Sequence, residues 1–407
     1  MSSKRNPVLT LVLISTLAFA FLSPALAANP DDGYPQGDAA PGRTCLPEAL
    51  GQSTVSSYSG KKLSCILIEG IAKWWIDGDP LPAPKPTQTP ATNNPQTQSD
   101  GSSTTTAPVI DYTPKYKLPE TALAKMTVFE NVTYATQSPT QHLDIYMPKG
   151  LSKPPLVIWT HGGGFVFGDE DFMKYDESAR LLEVFIKNGI AVASVNYRLA
   201  QESMFPAAGI DAKSAIRFLR ANATKYGYDP KKFATAGDSA GSYLALMSAI
   251  TGDQPSPFDN PLDPNRKTSA AVSTVIDLFG NVDFFEMPAN NAKYPCDQSK
   301  NPFPVADSNN HPWFGDMTKP DVQASMKSAG LYPFLKSSKA IPNFFIFHGL
   351  DDCSVSPHDS MNLDKAVKAL KAKSTLTLIP GATHGGAGVW TAVMKAVPAI
   401  KKSLLGK

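Results

Sequence analysis

The chain has 407 residues, more than one average domain, and 42% of them are apolar, enough to bury a sizeable core; global disorder is excluded. A formal net charge of only +2 leaves no broad basic field, which argues against nucleic acid as the main partner. Beyond the N-terminus no segment reaches the about 18 apolar residues of a membrane span, so the mature chain is expected to be soluble and not membrane-bound.

At the start, Lys4 and Arg5 precede a nearly all-apolar run over 8–22, and Ala25-Leu26-Ala27 then supplies small residues. This order predicts an export signal over 1–28 and hence a secreted or periplasmic protein. Export places Cys45, Cys65, Cys296 and Cys353 in an oxidising compartment, where an even number favours disulfides. Of the three pairings that four cysteines allow, Cys45–Cys65 with Cys296–Cys353 keeps each bridge inside one module. No CxxC or Cys/His cluster occurs, so no metal is expected. Residues 29–79 form a small segment in which Leu63, Ile66, Leu67, Ile71, Trp74 and Trp75 recur at roughly helical spacing. That spacing predicts a short amphipathic helix, with a sugar- or surface-binding patch on Trp74 and Trp75 as the alternative. Residues 80–118 are rich in Pro, Ser and Thr and poor in large apolar residues, which predicts an extended linker.

From 119 to 407 the pattern changes to one catalytic-size domain. Apolar runs of strand length lie at 126–136, 142–147, 156–161, 191–197, 233–238, 272–279, 343–348 and 375–379. Helical stretches at 207–226, 240–251 and 390–405 fall between and after them. The alternation predicts an α/β fold with a mostly parallel eight-stranded sheet and helices on both faces.

Four loops after these strands carry the chemistry. After the third run comes His161-Gly162-Gly163-Gly164-Phe165, whose glycines let backbone N–H groups approach a substrate oxygen. After the fifth comes Gly237-Asp238-Ser239-Ala240-Gly241, a G-x-S-x-G turn between strand and helix that lifts a serine hydroxyl out of the sheet. A serine nucleophile needs a base, and the base an orienting acid. His384 lies in a Gly-bracketed loop after the last strand and is the favoured base over His358 and His311. The turn after the seventh run offers two carboxylates, Asp351 and Asp352, beside His348, which reads as a structural turn residue. The N–H groups of Gly163, Gly164 and Ala240 are the candidate oxyanion donors. The segment 281–338 carries Phe284, Phe285, Trp313 and Phe314, which form either a local core or an aromatic-lined acyl or aryl site.

These motifs resemble the hormone-sensitive-lipase-like branch of the α/β-hydrolase esterases and are similar to bacterial acetyl-xylan and feruloyl esterases. Asn196-Tyr-Arg-Leu-Ala200, Phe205-Pro-Ala-Ala208 and Asp211 extend the likeness, which covers about 119–407. Prolines common in that branch are replaced here by Gln201 and Ser356. The resemblance implies an α/β-hydrolase fold. Its H-G-x-x-D-x-x-V pattern selects Asp352 over Asp351, which completes a Ser239–His384–Asp352 triad. It further implies a serine carboxylesterase without cofactor, acting on acetyl- or feruloyl-type esters, some of them on polysaccharides. Other readings are a lipase or peptidase of the same fold, or a binding protein on its scaffold. The complete triad, the lack of a large apolar lid and the absence of room for a propeller in 118 N-terminal residues weigh against them.

Overall fold

A computed structural model describes residues 114–288 and 310–406, and ahead of them the backbone of three strands, Ser53–Val55 (β1), Lys62–Ile68 (β2) and Ile71–Ile76 (β3). The chain divides into two compact units, Met1–Thr92 and Asn93–Lys407. The expected export signal, most of the linker, Cys45, Cys296 and the side chains of Cys65, Trp74 and Trp75 lie outside the described residues. The two expected disulfide pairings therefore lie outside them as well.

In the first unit, β1, β2 and β3 form an antiparallel sheet in that order. The helix expected across 63–75 is thus a hairpin. The β-branched Ile66, Ile68, Ile71 and Ile76 lose side-chain freedom in a helix and suit a pleated strand. Pairing of Ile68 with Ile71 leaves only Glu69-Gly70 between the strands, the length of a two-residue turn.

The second unit is built on eight strands: Met126–Thr133 (β4), His142–Pro148 (β5), Leu156–Thr160 (β6), Ala191–Val195 (β7), Phe233–Asp238 (β8), Thr274–Leu278 (β9), Asn343–Gly349 (β12) and Ser374–Ile379 (β13). Between β9 and β12 a two-residue ribbon pairs Asn310–His311 (β10) with Gly315–Asp316 (β11). The sheet order is β13-β12-β9-β8-β6-β7-β5-β4. Every neighbour pair is parallel except those of β5, which runs antiparallel to β7 and β4. Strands β6, β7 and β9 are buried along their whole length, as expected of strands covered on both faces.

Side-chain alternation divides the core. Val157 and Trp159 of β6 and Phe345 and Phe347 of β12 meet the helices Asp176–Lys187 and Ala387–Leu404. Leu156 and Ile158 face the opposite way, toward Ala207–Ala221, while Phe344 and Ile346 pack with Ala240–Thr251 and Pro357–Ala369. The helix Ala240–Thr251 is buried at every residue, consistent with an apolar composition all round. The helix expected over 207–226 breaks at Asn222, whose amide N–H turns back to the Phe218 carbonyl (2.9 Å). The end of the expected linker is anchored, because Tyr116 and Leu118 bring apolar surface that the rest of it lacks. Leu118 is buried and donates its N–H to Lys174 O (2.8 Å).

Parallel strands joined by crossover helices put the loops after β6, β8, β12 and β13 on one edge of the sheet, the edge where α/β sheets bind ligands. The four chemistry-bearing loops, the Gly-bracketed His384 loop among them, all emerge there.

Candidate active site

Ser239 separates β8 from the helix that follows, at φ 52°, ψ −120°. A left-handed backbone at a non-glycine residue is strained and persists only where the surroundings over-determine it. Here Ser239 N–H donates to Leu278 O (2.9 Å), and Tyr243 N–H donates to Ser239 O (3.1 Å). A Cβ at Gly241 would lie 2.1 Å from Thr160 O and 2.3 Å from His161 O. The elbow therefore requires glycine there so that its helix can press against the end of β6.

His384 faces this hydroxyl. Its Nδ1 meets Asp352 Oδ2 at 2.7 Å and its Nε2 meets Ser239 Oγ at 2.9 Å. A carboxylate only accepts, so Nδ1 carries the proton and donates it to Asp352. The Nε2 lone pair is left to accept the Ser239 O–H. Asp352 Oδ1 accepts the N–H groups of Ser354 (2.9 Å) and Val355 (3.0 Å). Burial alone would raise the Asp352 carboxyl, but the charge of His384 and the hydrogen bonds from His348 and His384 hold it well below the usual carboxylate range. Asp351, the competing acid, gives its backbone N–H to Ala382 O (3.0 Å) and ties the acid loop to the His384 loop. His358 sits in the first turn of Pro357–Ala369. His311 lies edge-on to Phe284 (5.1 Å) and is pushed down to about 4 by burial.

The loop after β6 turns through Gly163 (φ 107°) and Gly164 (φ 60°). A Cβ at Gly163 would stand 2.1 Å from Phe167 O, so only glycine fits. Among the described residues the N–H groups of Gly163, Gly164 and Ala240 reach no protein acceptor. The Ala240 N–H also opens a helix, where partial positive charge gathers. Two groups steady this cradle. Gly162 N–H donates to Asp238 Oδ1 (3.0 Å), and Tyr197 O–H donates to His161 O (2.8 Å) while its ring stacks on His161 at 4.3 Å. Burial pushes the Asp238 carboxyl up to about 6, with the Gly162 N–H and the His384 charge pulling against it. Burial pushes His161 down to about 4, so it is neutral at pH 7.

Phe284, Trp313 and Phe314 form a buried core, the first of the two readings of the 281–338 segment. Trp313 stacks on Phe165 (4.2 Å, 11°), and Tyr243 and Phe284 meet Phe165 edge-on. Phe285 is half-buried beneath Lys327 (4.3 Å). These rings back the glycine loop from behind. A cavity of about 280 Å³, lined by Val282, Asp283, Glu286, Tyr332, Asp359 and Asn362, contains none of Ser239, His384 or Asp352.

The roles of two residues escaped the sequence reading of the site, which had His348 as a structural turn residue and Asp238 only as part of the motif. Asp238 precedes the serine in G-x-S-x-G, a position the motif leaves open. His348 lies four residues before Asp352, and a turn of that length can fold an imidazole back onto a carboxylate.

Residues 143–367, more than half of the chain, match the family model described as BD-FAE. The chain is 27% identical over 251 residues to the esterase LipC of Mycobacterium tuberculosis, covering 61% of this chain and 57% of that protein. It is 36% identical over 143 residues to the carboxylesterase NlhH of the same organism, covering 35% and 42%. The chain thus spans about half the length of these relatives. A solved structure of a truncated carbohydrate esterase from gut microbiota superposes with a TM-score of 0.55 at 28% identity, over 68% of this chain and 96% of that one.

Proposed function

The chain belongs to the BD-FAE family, and from that premise we propose that it is a serine carboxylesterase that removes short acyl groups from carbohydrate esters. One observation carries the reading: a hydroxyl, an imidazole and a carboxylate in one hydrogen-bonded line, beside three unclaimed backbone N–H groups. Ser239 Oγ attacks the ester carbonyl as its proton passes to His384 Nε2. Asp352 holds the imidazole by Nδ1 and stabilises the imidazolium. The carbonyl oxygen becomes an oxyanion cradled by Gly163, Gly164 and Ala240. The tetrahedral adduct collapses when His384 returns the proton to the leaving alkoxide, which departs as the alcohol. Water then attacks the acyl-enzyme and gives a proton to His384, which passes it to the departing Ser239 Oγ, releasing the acid and restoring the free hydroxyl and neutral imidazole.

The carbohydrate esterase neighbour supports a sugar-borne ester, and the resemblance of the motifs to acetyl-xylan esterases supports a small acyl group. Burial of Phe284, Trp313 and Phe314 removes them as walls for a long aryl group. The expected export signal over 1–28 supports action outside the cytoplasm on polysaccharides or their fragments. The test pairs Ser239→Ala with a substrate panel. The unaltered chain is expected to hydrolyse p-nitrophenyl acetate and acetylated xylo-oligosaccharides faster than butyryl or feruloyl esters. Loss of the nucleophile costs on the order of 10⁶ in kcat where such triads have been dissected. An alanine variant that keeps the original rate overturns the reading, and a preference for the feruloyl ester overturns its substrate half.

A further inference from the structure

Behind the Asp352 carboxylate lies a second imidazole that the three-residue mechanism does not use. His348 is fully buried at the end of β12. Its Nε2 stands 3.0 Å from Val355 O and 3.1 Å from Asp352 Oδ2. Both are acceptors, so Nε2 carries the proton and shares it between them. Its Nδ1 meets Ser360 Oγ at 2.7 Å, on the helix Pro357–Ala369. Whenever the ring is neutral with its proton on Nε2, Nδ1 accepts the Ser360 O–H. Asp352 Oδ2 thus takes N–H groups from two imidazoles, His384 at 2.7 Å and His348 at 3.1 Å, while Oδ1 takes two from the backbone.

We propose that His348 is a positioning residue for ester hydrolysis: its Nε2–H fixes the carboxylate that orients His384 and limits how strongly that carboxylate holds the imidazolium. The proposal rests on the triad reading above. The physical argument concerns the division of one oxygen between two donors. An oxygen already accepting from His348 offers less negative charge to His384. The base consequently releases its proton to the leaving group more readily than it would beside an unshared carboxylate. Against burial, which disfavours a charged ring, the hydrogen bond and charge of Asp352 and then the charge of Asp277, on the neighbouring strand β9, push the His348 imidazole above its ordinary value. Asp277 is itself held by Ser242 O–H and Gly280 N–H, so it is a fixed part of the surroundings.

His348→Leu removes the donor and His348→Gln retains an N–H at the position of Nε2. Sites are counted by fluorophosphonate titration, and kcat/KM is followed from pH 4.5 to 9 on p-nitrophenyl acetate. The leucine variant is expected to lose about tenfold in kcat with KM little changed, the cost of a loosened catalytic group. Its acid limb is expected to move up by roughly one pH unit, because the unshared carboxylate favours the charged His384. Glutamine is expected to restore the limb and most of kcat. An acid limb that stays in place in the leucine variant, while Ser239→Ala is inactive in the same assay, overturns the role of His348 and leaves the triad standing. Activity in Ser239→Ala overturns both. Should the leucine variant not fold, ¹⁵N NMR of the unaltered chain decides, with the His348 signals identified from the glutamine variant. A proton on Nε2 at pH 8 is required, and a proton on Nδ1 instead overturns the proposal.

Discussion

Behind Asp352 the chain braces the site with polar groups, and behind Gly163 and Gly164 it braces the site with rings. Asp352 is held by two backbone N–H groups and two imidazoles. The glycine loop is backed by Phe165, which lies flat on Trp313 and edge-on to Tyr243 and Phe284. The two constructions suit what they support. A carboxylate must be aimed, and hydrogen bonds have direction and respond to protonation. A glycine loop whose N–H groups must stay unclaimed cannot be pinned through those same groups, so it is immobilised by packing, which is indifferent to pH.

The largest effect that would break this contrast is expected at the polar brace. Asp352→Asn keeps the shape of the side chain but offers its Nδ2–H₂ or an amide oxygen where a charge stood. The imidazole then loses the partner that selects its tautomer, and kcat per titrated site is expected to fall by about 10⁴-fold, far beyond what the accompanying drop in melting temperature from losing a carboxylate that stabilises the fold can account for. Steady-state kinetics and calorimetry on one preparation check both halves. A variant crippled mainly by unfolding would show that the acid loop is a structural prop after all. The aromatic brace should answer in the opposite sense. Trp313→Ala empties a fully buried site and is expected to cost about 3–5 kcal/mol of stability, read from denaturant unfolding. Measured below its melting temperature and per titrated site, its kcat is expected to fall less than that of the Asp352 variant, with an unmoved pH profile. A shifted profile would remove the distinction between the two braces.

The same contrast governs what the sequence made legible. All eight strands of the sheet were visible, the central ones because strands covered on both faces must be apolar runs, as in Leu156-Val-Ile-Trp-Thr160, and G-x-S-x-G and H-G-G-G sat at the ends of two of them. The small β1–β3 sheet was misread as a helix, since Leu63, Leu67, Ile71 and Trp74 satisfy a helical period as readily as a strand one. Its β-branched content was the better guide. The destination of Phe284 and Trp313 was open because a ring that lines a pocket and a ring that backs a loop have the same composition. Only the stack of Trp313 on Phe165, 148 positions earlier, separates them, and no local pattern encodes a contact at that separation. His348 was hidden for a different reason: a single buried histidine is usually a satisfied core residue, and its partnership with Asp352 depends on the path of a turn.

Asp238 lies between the two kinds of brace, since it is a charged group that holds the glycine loop through Gly162 N–H. Burial pushes its carboxyl up to about 6, only partly offset by that N–H and by the charge of His384. The sign follows from linkage. An acid whose pKa is raised on folding contributes stability that is full below its unfolded value, near 3.8, and is lost as pH rises through about 6. Asp238→Asn cannot titrate, yet its amide oxygen can still accept from Gly162 N–H. The variant is therefore expected to flatten the fall in stability between pH 4 and 6 and to exceed the unaltered chain above that window. Activity is expected to drop only a few-fold at pH 7, because a negative charge near the His384 imidazolium is lost while the loop stays in place. Urea midpoints at pH 4, 5, 6 and 7.5 measure the first effect and kcat the second. Parallel stability curves for the two proteins would mean that Asp238 keeps an ordinary carboxyl and that the glycine loop, like the rings behind it, is insensitive to protons.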